Sequence, residues 1–174
     1  MEATKEHEQT LTKNPTTVER KSDRELVVTR TINGPARIVF EAFRKPELFS
    51  RWWLPKAFGL TLLSHEADVR TGGSYRLVIR HGDSKPMEFY GRYLEVIPPS
   101  RLVWTNDEGG DQGAVTTVTL EEKGDQTLLV LHDLYLSKEA LDAALASQAC
   151  DGLPESFDQL EELVATLDAS SGQS

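Results

Sequence analysis

The sequence predicts one α+β domain, in which a curved antiparallel sheet of about seven strands is covered by a long C-terminal helix. Three observations lead to this fold class. Short segments rich in β-branched residues alternate with turn residues through most of the chain. Only two short helical segments interrupt them, directly after the first strand. The chain then closes with a long amphipathic stripe, which is the natural cover for the apolar face of such a sheet.

The first predicted strand covers residues 25–32, and it stops at Asn33-Gly34-Pro35. Proline is favoured at the first position of a helix, so a short helix follows it. A second short helix begins at Pro46 and ends before Pro55, because the residue before a proline is pushed out of the helical region. Trp52 and Trp53 lie in this second helix.

Six further strands are predicted between turn signals. They cover residues 60–66, 74–80, 87–97, 101–105, 114–122 and 127–136. Consecutive strands joined by short turns pair antiparallel. Gly91 lies inside a long strand, which indicates a bulge or a close backbone approach.

The end of the chain is predicted to be helical. Ser137 is placed to cap a helix over 138–148, and Pro154 begins the next helical segment. In that segment apolar residues recur at steps of four and three. They are Leu153, Phe157, Leu160, Val164 and Leu167.

The domain is predicted to span residues 25–167 of the 174. Residues 1–24 and 168–174 contain almost no large apolar side chains. We therefore expect a disordered tail at each end, since neither stretch buries enough surface to offset the entropy of ordering.

The charge and composition of the chain argue against several classes of partner and several cellular locations. The net charge of −9 comes with no cluster of Lys or Arg, which argues against nucleic acid and anionic membrane surfaces. The single cysteine, Cys150, excludes an intrachain disulfide. No apolar run reaches the roughly 20 residues that span a bilayer, and no signal peptide opens the chain. We expect a cytoplasmic protein that does not insert into membranes, as a monomer or a weak homodimer.

Four motifs, in order, resemble the family related to the activator of the heat-shock protein 90 ATPase. They are Arg51-Trp-Trp-Leu-Pro55, the acidic, basic, Gly-Gly turn in 68–75, the Gly…Glu…Pro-Pro…Arg-Leu strand pair in 91–105, and the segment 127–132 ending in histidine. The resemblance implies the helix-grip fold of the START and birch-pollen-allergen-like (SRPBCC) superfamily. Members bind lipids, polyketides, hormones or other apolar molecules between sheet and helix, and some are cyclases, aromatases or hydrolases.

Nine residues are predicted to surround such a cavity, although the same side chains would also make an ordinary core. They are Trp53, Phe58, Tyr75, Phe89, Tyr93, Trp104, His132, Leu153 and Phe157. The family often has Gly-Trp where this chain has Gly152-Leu153, so we expect the pocket to differ there.

Strand parity predicts that His132 faces inward with Leu128, as a satisfied buried residue or as a proton-transfer group. By the same parity Asp133 faces outward. Leu129 and Leu131 then also face outward, where a dimer contact or the N-terminal tail would cover them.

No catalytic residue, metal site or cofactor is predicted. The histidines lack zinc-site spacing, there is no cysteine pair, and no nucleophile elbow, phosphate loop or calcium loop occurs. Asp68 and Arg70 are expected to hold the Gly-Gly turn.

Three functions remain open from the sequence. The first is a binding protein for a small apolar molecule, and the second is an interaction module acting on a chaperone ATPase. The third is a cyclase or hydrolase that uses His132 and Tyr93 for proton transfer.

Overall fold

Eight antiparallel strands form one curved, unclosed sheet in the computed structural model, which describes residues 14–107, 114–146 and 152–172. The strands are β1 (Thr16–Arg20), β2 (Glu25–Asn33), β3 (Leu60–Ala67), β4 (Ser74–His81), β5 (Met87–Ile97), β6 (Arg101–Thr105), β7 (Val115–Lys123) and β8 (Gln126–Leu134). Their order across the sheet is β1-β2-β8-β7-β6-β5-β4-β3.

Four α-helices and one 3-10 turn complete the described part of the chain. The helices are α1 (Ala36–Arg44), α2 (Pro46–Trp52), α3 (Lys138–Ala146) and α4 (Leu153–Gly172), and the 3-10 turn is Lys56–Phe58. This arrangement confirms the predicted α+β helix-grip class, with two short helices before the long run of strands and a long helix at the end.

The connection from β2 to β3 places the short helices. β2 lies beside β8 near one edge of the sheet, whereas β3 forms the opposite edge. The chain must therefore cross the sheet between these two strands, and α1 and α2 are the elements that make this crossing. Both contact α4, so the three helices together cover the inner face of the sheet.

The core is formed by apolar residues of α1, α2 and α4 and of the inner face of the sheet. On α4, Phe157, Leu160 and Val164 are completely buried, as the amphipathic stripe predicts. Val39 of α1 and Trp52 of α2 are also completely buried beside them. The predicted stripe is therefore the seam along which the helices and the sheet meet.

Both predicted tails were too long. Residues 16–20 form β1, which pairs antiparallel with β2 from Thr16 opposite Arg30 to Arg20 opposite Leu26. The apolar criterion missed this strand because backbone pairing holds it, and its one large apolar side chain, Val18, is 46 % exposed. At the other end, α4 continues to Gly172, since a helix can continue past its last buried residue.

The predicted turns and close approaches are present where glycine is needed. A Cβ on Gly91 would lie 2.0 Å from the carbonyl oxygen of Thr105, so β5 and β6 approach too closely for any side chain there. A Cβ on Gly73 would lie 1.9 Å from the carbonyl oxygen of Asp68. Arg70 Nε donates to Asp68 Oδ2 at 2.8 Å across this turn, and both side chains are exposed.

The inward face of β8 is the reverse of the prediction. Leu129 and Leu131 are buried against the helices, whereas His132 lies on the outer face. Its Nε2 lies 2.8 Å from Oε2 of Glu25, on the neighbouring strand β2. Apolar residues occupy both faces of this strand, so alternation did not fix the parity. Asp133 consequently turns inward.

Candidate functional site

A cavity of about 350 Å³ lies between the short helices, the β3 to β6 half of the sheet and the first turn of α4. Its wall is mainly aromatic and aliphatic, which is typical of small-molecule sites, and its volume is at the small end of their range. The lining residues are Phe43, Phe49, Trp53, Leu54, Pro55, Phe58, Leu60, His65, Tyr75, Leu77, Ile79, Phe89, Tyr93, Leu102, Trp104, Asn106, Gly152, Leu153 and Ser156.

The structure brings seven of the nine predicted residues to this wall. They are Trp53, Phe58, Tyr75, Phe89, Tyr93, Trp104 and Leu153. Phe89 and Tyr93 keep the same parity along β5 and both face the cavity. Their placement follows from the β5 pattern.

His132 and Phe157 were predicted at the wall, and neither lies there. His132 points to the outer face, where it pairs with Glu25. This hydrogen bond lowers the pKa of the Glu25 carboxyl below its ordinary value. Phe157 is completely buried, with its ring centroid 6.2 Å from that of Trp52, because it lies one turn deeper along α4 than Leu153. The hypothesis of proton transfer by His132 in the cavity therefore loses its base.

The two adjacent tryptophans have different environments. Trp52 is fully buried and its Nε1 donates to the carbonyl of Ala42 at 2.9 Å, which fixes α2 against α1. Trp53 lies on the cavity wall and stacks on Phe49, with ring centroids 4.9 Å apart and planes 25° apart. One tryptophan is therefore structural and the other faces the empty volume.

His65 lies on the cavity wall although simple alternation along β3 does not place it there, because β3 contains a bulge. The pairing with β4 shifts between Leu62 and Ser64, so Leu63 is extra and turns out to solvent. The bulge reverses the parity of the second half of the strand, and Leu60 and His65 therefore both reach the cavity. Nothing in the sequence pattern marks this bulge.

The segment after α2 is held to α4 by side-chain hydrogen bonds. Gln159 Nε2 donates to the carbonyls of Trp52 and Leu54, at 2.8 and 2.9 Å, and its Oε1 accepts from the backbone N–H of Lys56 at 2.9 Å. Ser156 Oγ donates to the carbonyl of Trp53 at 2.7 Å. These contacts satisfy backbone groups that the end of a helix leaves unpaired.

Most polar groups of the wall are already paired. The Tyr75 hydroxyl donates to the carbonyl of Thr105 at 2.8 Å. Asn106 Nδ2 donates to the carbonyl of Ala114 at 2.8 Å and to Thr116 Oγ1 at 3.0 Å. The hydroxyl of Tyr93 is different, since it makes no hydrogen bond to any residue that the structure describes.

Burial disfavours the charged forms of two ionisable residues on this wall, Tyr93 and His65. Burial raises the pKa of the Tyr93 phenol well above its ordinary value. Burial also lowers the pKa of His65, although the nearby carbonyl of Pro46 opposes this. No Lys, Arg, Asp or Glu lines the cavity among the described residues. The wall is therefore uncharged near neutral pH.

Behind the wall, a chain of hydrogen bonds leads to a buried carboxyl. Thr116 receives a hydrogen bond from Asn106 and donates to Asp133 Oδ1 at 2.5 Å, between the neighbouring strands β7 and β8. Burial raises the pKa of Asp133 to about 6, against the smaller lowering effects of Thr116 and His132. In the ranges that the structure covers, no group of three His, Cys, Asp or Glu side chains could hold a metal ion.

The model of the family described as "Activator of Hsp90 ATPase homolog 1-like protein" matches residues 33–165, which is well over half of the chain. The chain belongs to this family. This membership confirms the resemblance that the four sequence motifs indicated. A comparison with curated proteins found no match.

Solved structures of similar fold come from several bacteria. A crystal structure of a protein from Nitrosomonas europaea has a TM-score of 0.77 at 20 % identity, covering 86 % of this chain and 99 % of that one. One from Chromobacterium violaceum has a TM-score of 0.68 at 27 % identity, covering 82 % and 98 %. The solution structure of an AHSA1-like protein from Aeromonas hydrophila has a TM-score of 0.63 at 17 % identity, covering 82 % and 94 %.

Gly152 and Leu153 form the part of the wall where this chain departs from the Gly-Trp expected by resemblance. A Cβ on Gly152 would lie 2.6 Å from Pro55 Cγ, so glycine is needed for this close contact with the segment after α2. Leu153 lies at the wall next to it. A leucine is smaller than a tryptophan, and it leaves more of the cavity open.

Among the described residues no helix is both long enough and apolar enough to cross a bilayer.

Proposed function

We propose that this protein binds a small, largely apolar molecule in the cavity between the sheet and the helices. The observation that carries the proposal is the aromatic wall around about 350 Å³ of unfilled space. The core beside the cavity is closely packed, with Leu129 of the sheet and Leu160 and Val164 of α4 completely buried. An unfilled apolar volume in such a core forfeits packing energy, which occupancy by a ligand would recover.

The cavity also reaches the surface. Phe58 lies on its wall and is 41 % exposed, which places this aromatic ring at the rim. A ligand would enter between this ring and the first turn of α4, where Gly152 contacts Pro55 and Phe58. The hydrogen bonds of Gln159 keep that rim in place without closing it.

The substitution Leu153→Trp tests the proposal by filling the cavity. We expect it to weaken the binding of a neutral two-ring probe such as 2-acetylnaphthalene by at least about tenfold, which corresponds to about 1.4 kcal/mol. The affinity is measured by titration while amide chemical shifts are recorded. Leu136→Trp is the matched control, because Leu136 is 57 % exposed and lies outside the cavity wall.

Equal affinity in the wild type and in Leu153→Trp, with shift changes confined to the surface, would contradict the proposal. Absence of binding by the wild type to a panel of neutral aromatic, steroid-like and acyl probes would remove it altogether. The control variant is expected to bind as the wild type does.

The second candidate is an interaction with a chaperone ATPase, and the family match is the observation that favours it. The family description names an activator of such an ATPase. A pull-down with the chaperone, together with an ATPase assay, separates the two candidates. Binding with a raised ATPase rate, unchanged by Leu153→Trp, would support this function and would place it outside the cavity.

A further inference from the structure

The unpaired hydroxyl of Tyr93 is the most informative polar group on the cavity wall. Tyr93 is only 9 % exposed, and its ring lies between those of Tyr75 and Trp104, with centroids 5.7 and 6.3 Å away. The hydroxyl is open to the cavity, and a ligand that displaced water from it without offering an acceptor would leave it unsatisfied, which is costly. A hydroxyl on the wall of an apolar cavity, without a partner in the described residues, is therefore a place for a ligand atom.

The polar groups of the neighbouring residues Tyr75 and Asn106 are paired within the protein. Tyr75, on the next strand, also reaches the cavity, and its hydroxyl already donates to the carbonyl of Thr105. Asn106 uses both hydrogens of its amide on Ala114 and Thr116. Among the described residues of the wall, the Tyr93 hydroxyl and His65 Nδ1 are left without a partner. His65 Nδ1 is buried within the wall, so the Tyr93 hydroxyl is the group that can donate to a ligand.

The absence of charge on the described wall restricts the ligand further. A carboxylate or an ammonium group that entered would lose its hydration without gaining an opposite charge. The Tyr93 phenol remains protonated, because burial disfavours phenolate. It therefore offers one O–H donor to the ligand.

We infer that the cavity takes an uncharged aromatic molecule carrying a carbonyl or ether oxygen, and that the hydroxyl of Tyr93 donates a hydrogen bond to this oxygen. The inference rests on the proposed function, since it names the ligand class of the same cavity. Rings of Trp53, Phe89 and Trp104 on the wall suit a flat aromatic body, which packs on such rings in offset or edge-to-face geometry. Free fatty acids and other carboxylates are excluded from this class.

Three probes with one ring system test the inference. They are 2-acetylnaphthalene, with a carbonyl acceptor, 2-ethylnaphthalene, of nearly the same shape without an acceptor, and 2-naphthoate, which is charged. Dissociation constants are measured at pH 7.5 for the wild type and for Tyr93→Phe, which removes only the hydroxyl. Tyr90→Phe is the matched control, because Tyr90 is on the same strand but is 42 % exposed and does not line the cavity.

We expect the wild type to bind the ketone about three- to tenfold more tightly than the ethyl compound, which is the range of one neutral hydrogen bond. Naphthoate should bind more weakly than either. In Tyr93→Phe the preference for the ketone should disappear while the affinity for the ethyl compound is kept, which also shows that the variant folds. Tyr90→Phe should keep the preference.

The outcomes separate the inference from the proposed function. If both neutral probes bind equally well to the wild type, or if Tyr93→Phe retains the preference, the anchor is wrong while the binding function stands. If naphthoate binds most tightly, the uncharged ligand class is wrong. If none of the three perturbs the cavity residues, the proposed function itself fails. Should Tyr93→Phe not fold, the ranking of the three probes on the wild type still decides the ligand class.

Discussion

At the scale of single residues, a shift of one position along β8 decides which ionisable side chain is buried. The sequence pattern placed His132 inside and Asp133 outside, and the structure has them reversed. Both faces of the strand carry leucine or valine, so the pattern could not decide. In the fold, Leu129 and Leu131 are buried on the inner face, His132 pairs with Glu25 on the outer face, and Asp133 accepts a hydrogen bond from Thr116.

The buried carboxyl of Asp133 predicts a pH effect on stability. Its pKa rises from the ordinary 3.8 to about 6 on folding, so between these values the folded state holds a proton that the unfolded state has released. The free energy of unfolding therefore falls as pH rises through this window. Asp133→Asn should remove this fall and, relative to the wild type, gain up to about 3 kcal/mol by pH 7.

Urea unfolding of the wild type and of Asp133→Asn from pH 4 to pH 8 measures this difference. Asp142→Asn is a control of opposite sign, because Lys138 and Arg20 lower the pKa of Asp142 and its carboxylate stabilises the fold at high pH. If the free energies of unfolding of Asp133→Asn and the wild type change with pH in the same way, burial does not raise the pKa of Asp133, and the prediction is wrong.

At the scale of elements, the sequence located most helices and strands but missed two local features that shape the site. β1 was missed because four of its five side chains are polar and backbone pairing with β2 holds it in the sheet. The bulge at Leu63 in β3 was missed because alternation carries no mark of an extra residue. Gly91, by contrast, predicted either a bulge or a close backbone approach, and the structure has the close approach, to the carbonyl of Thr105.

The attachment of the segment after α2 to α4 predicts a large effect for one glutamine. Gln159→Leu would leave the carbonyls of Trp52 and Leu54 and the N–H of Lys56 without these partners. We expect a loss of about 2 kcal/mol or more in the free energy of unfolding. Denaturant unfolding gives the value, and Glu162→Leu on the exposed side of the same helix is the control.

If Gln159→Leu costs as little as the exposed control, the rim of the cavity is not held by this side chain. A loss of stability together with weaker probe binding would support the view that the same contacts position the wall. The leucine keeps a similar volume, so packing loss is small beside the unpaired backbone groups.

At the scale of the whole molecule, the domain combines a filled core with a cavity at the start of α4. Two turns further along that helix, Glu161 accepts from Arg30 of β2 at 2.6 Å, and Asp158 lies 2.8 Å from the same guanidinium. Arg30 is 1 % exposed, and it also donates to Thr16 Oγ1 of β1 at 2.9 Å. This ionic cluster joins the N-terminal strand, the sheet and the C-terminal helix, and the sequence pattern gave no sign of it, because its members lie far apart in the chain.

Removing the cation of this cluster alone should lower the free energy of unfolding more than replacing the cation and its buried carboxylate together. Arg30→Met leaves the carboxylate of Glu161 buried without its cation, which we expect to cost about 3–5 kcal/mol. Adding Glu161→Leu should recover part of that loss, because the double variant no longer buries an unpaired carboxylate. Denaturant unfolding of both single variants and the double variant gives the coupling energy. Strictly additive losses would contradict a direct pairing.

The most direct test of the cavity as a binding site is a set of intermolecular NOEs between bound 2-acetylnaphthalene and the protein. We expect contacts from the naphthalene protons to the indole rings of Trp53 and Trp104 and to the ring of Phe89, with none to Trp52, which is buried in the core. NOEs only to outer-face residues such as His132 or Tyr90, or an absence of any contact at saturating probe, would contradict it.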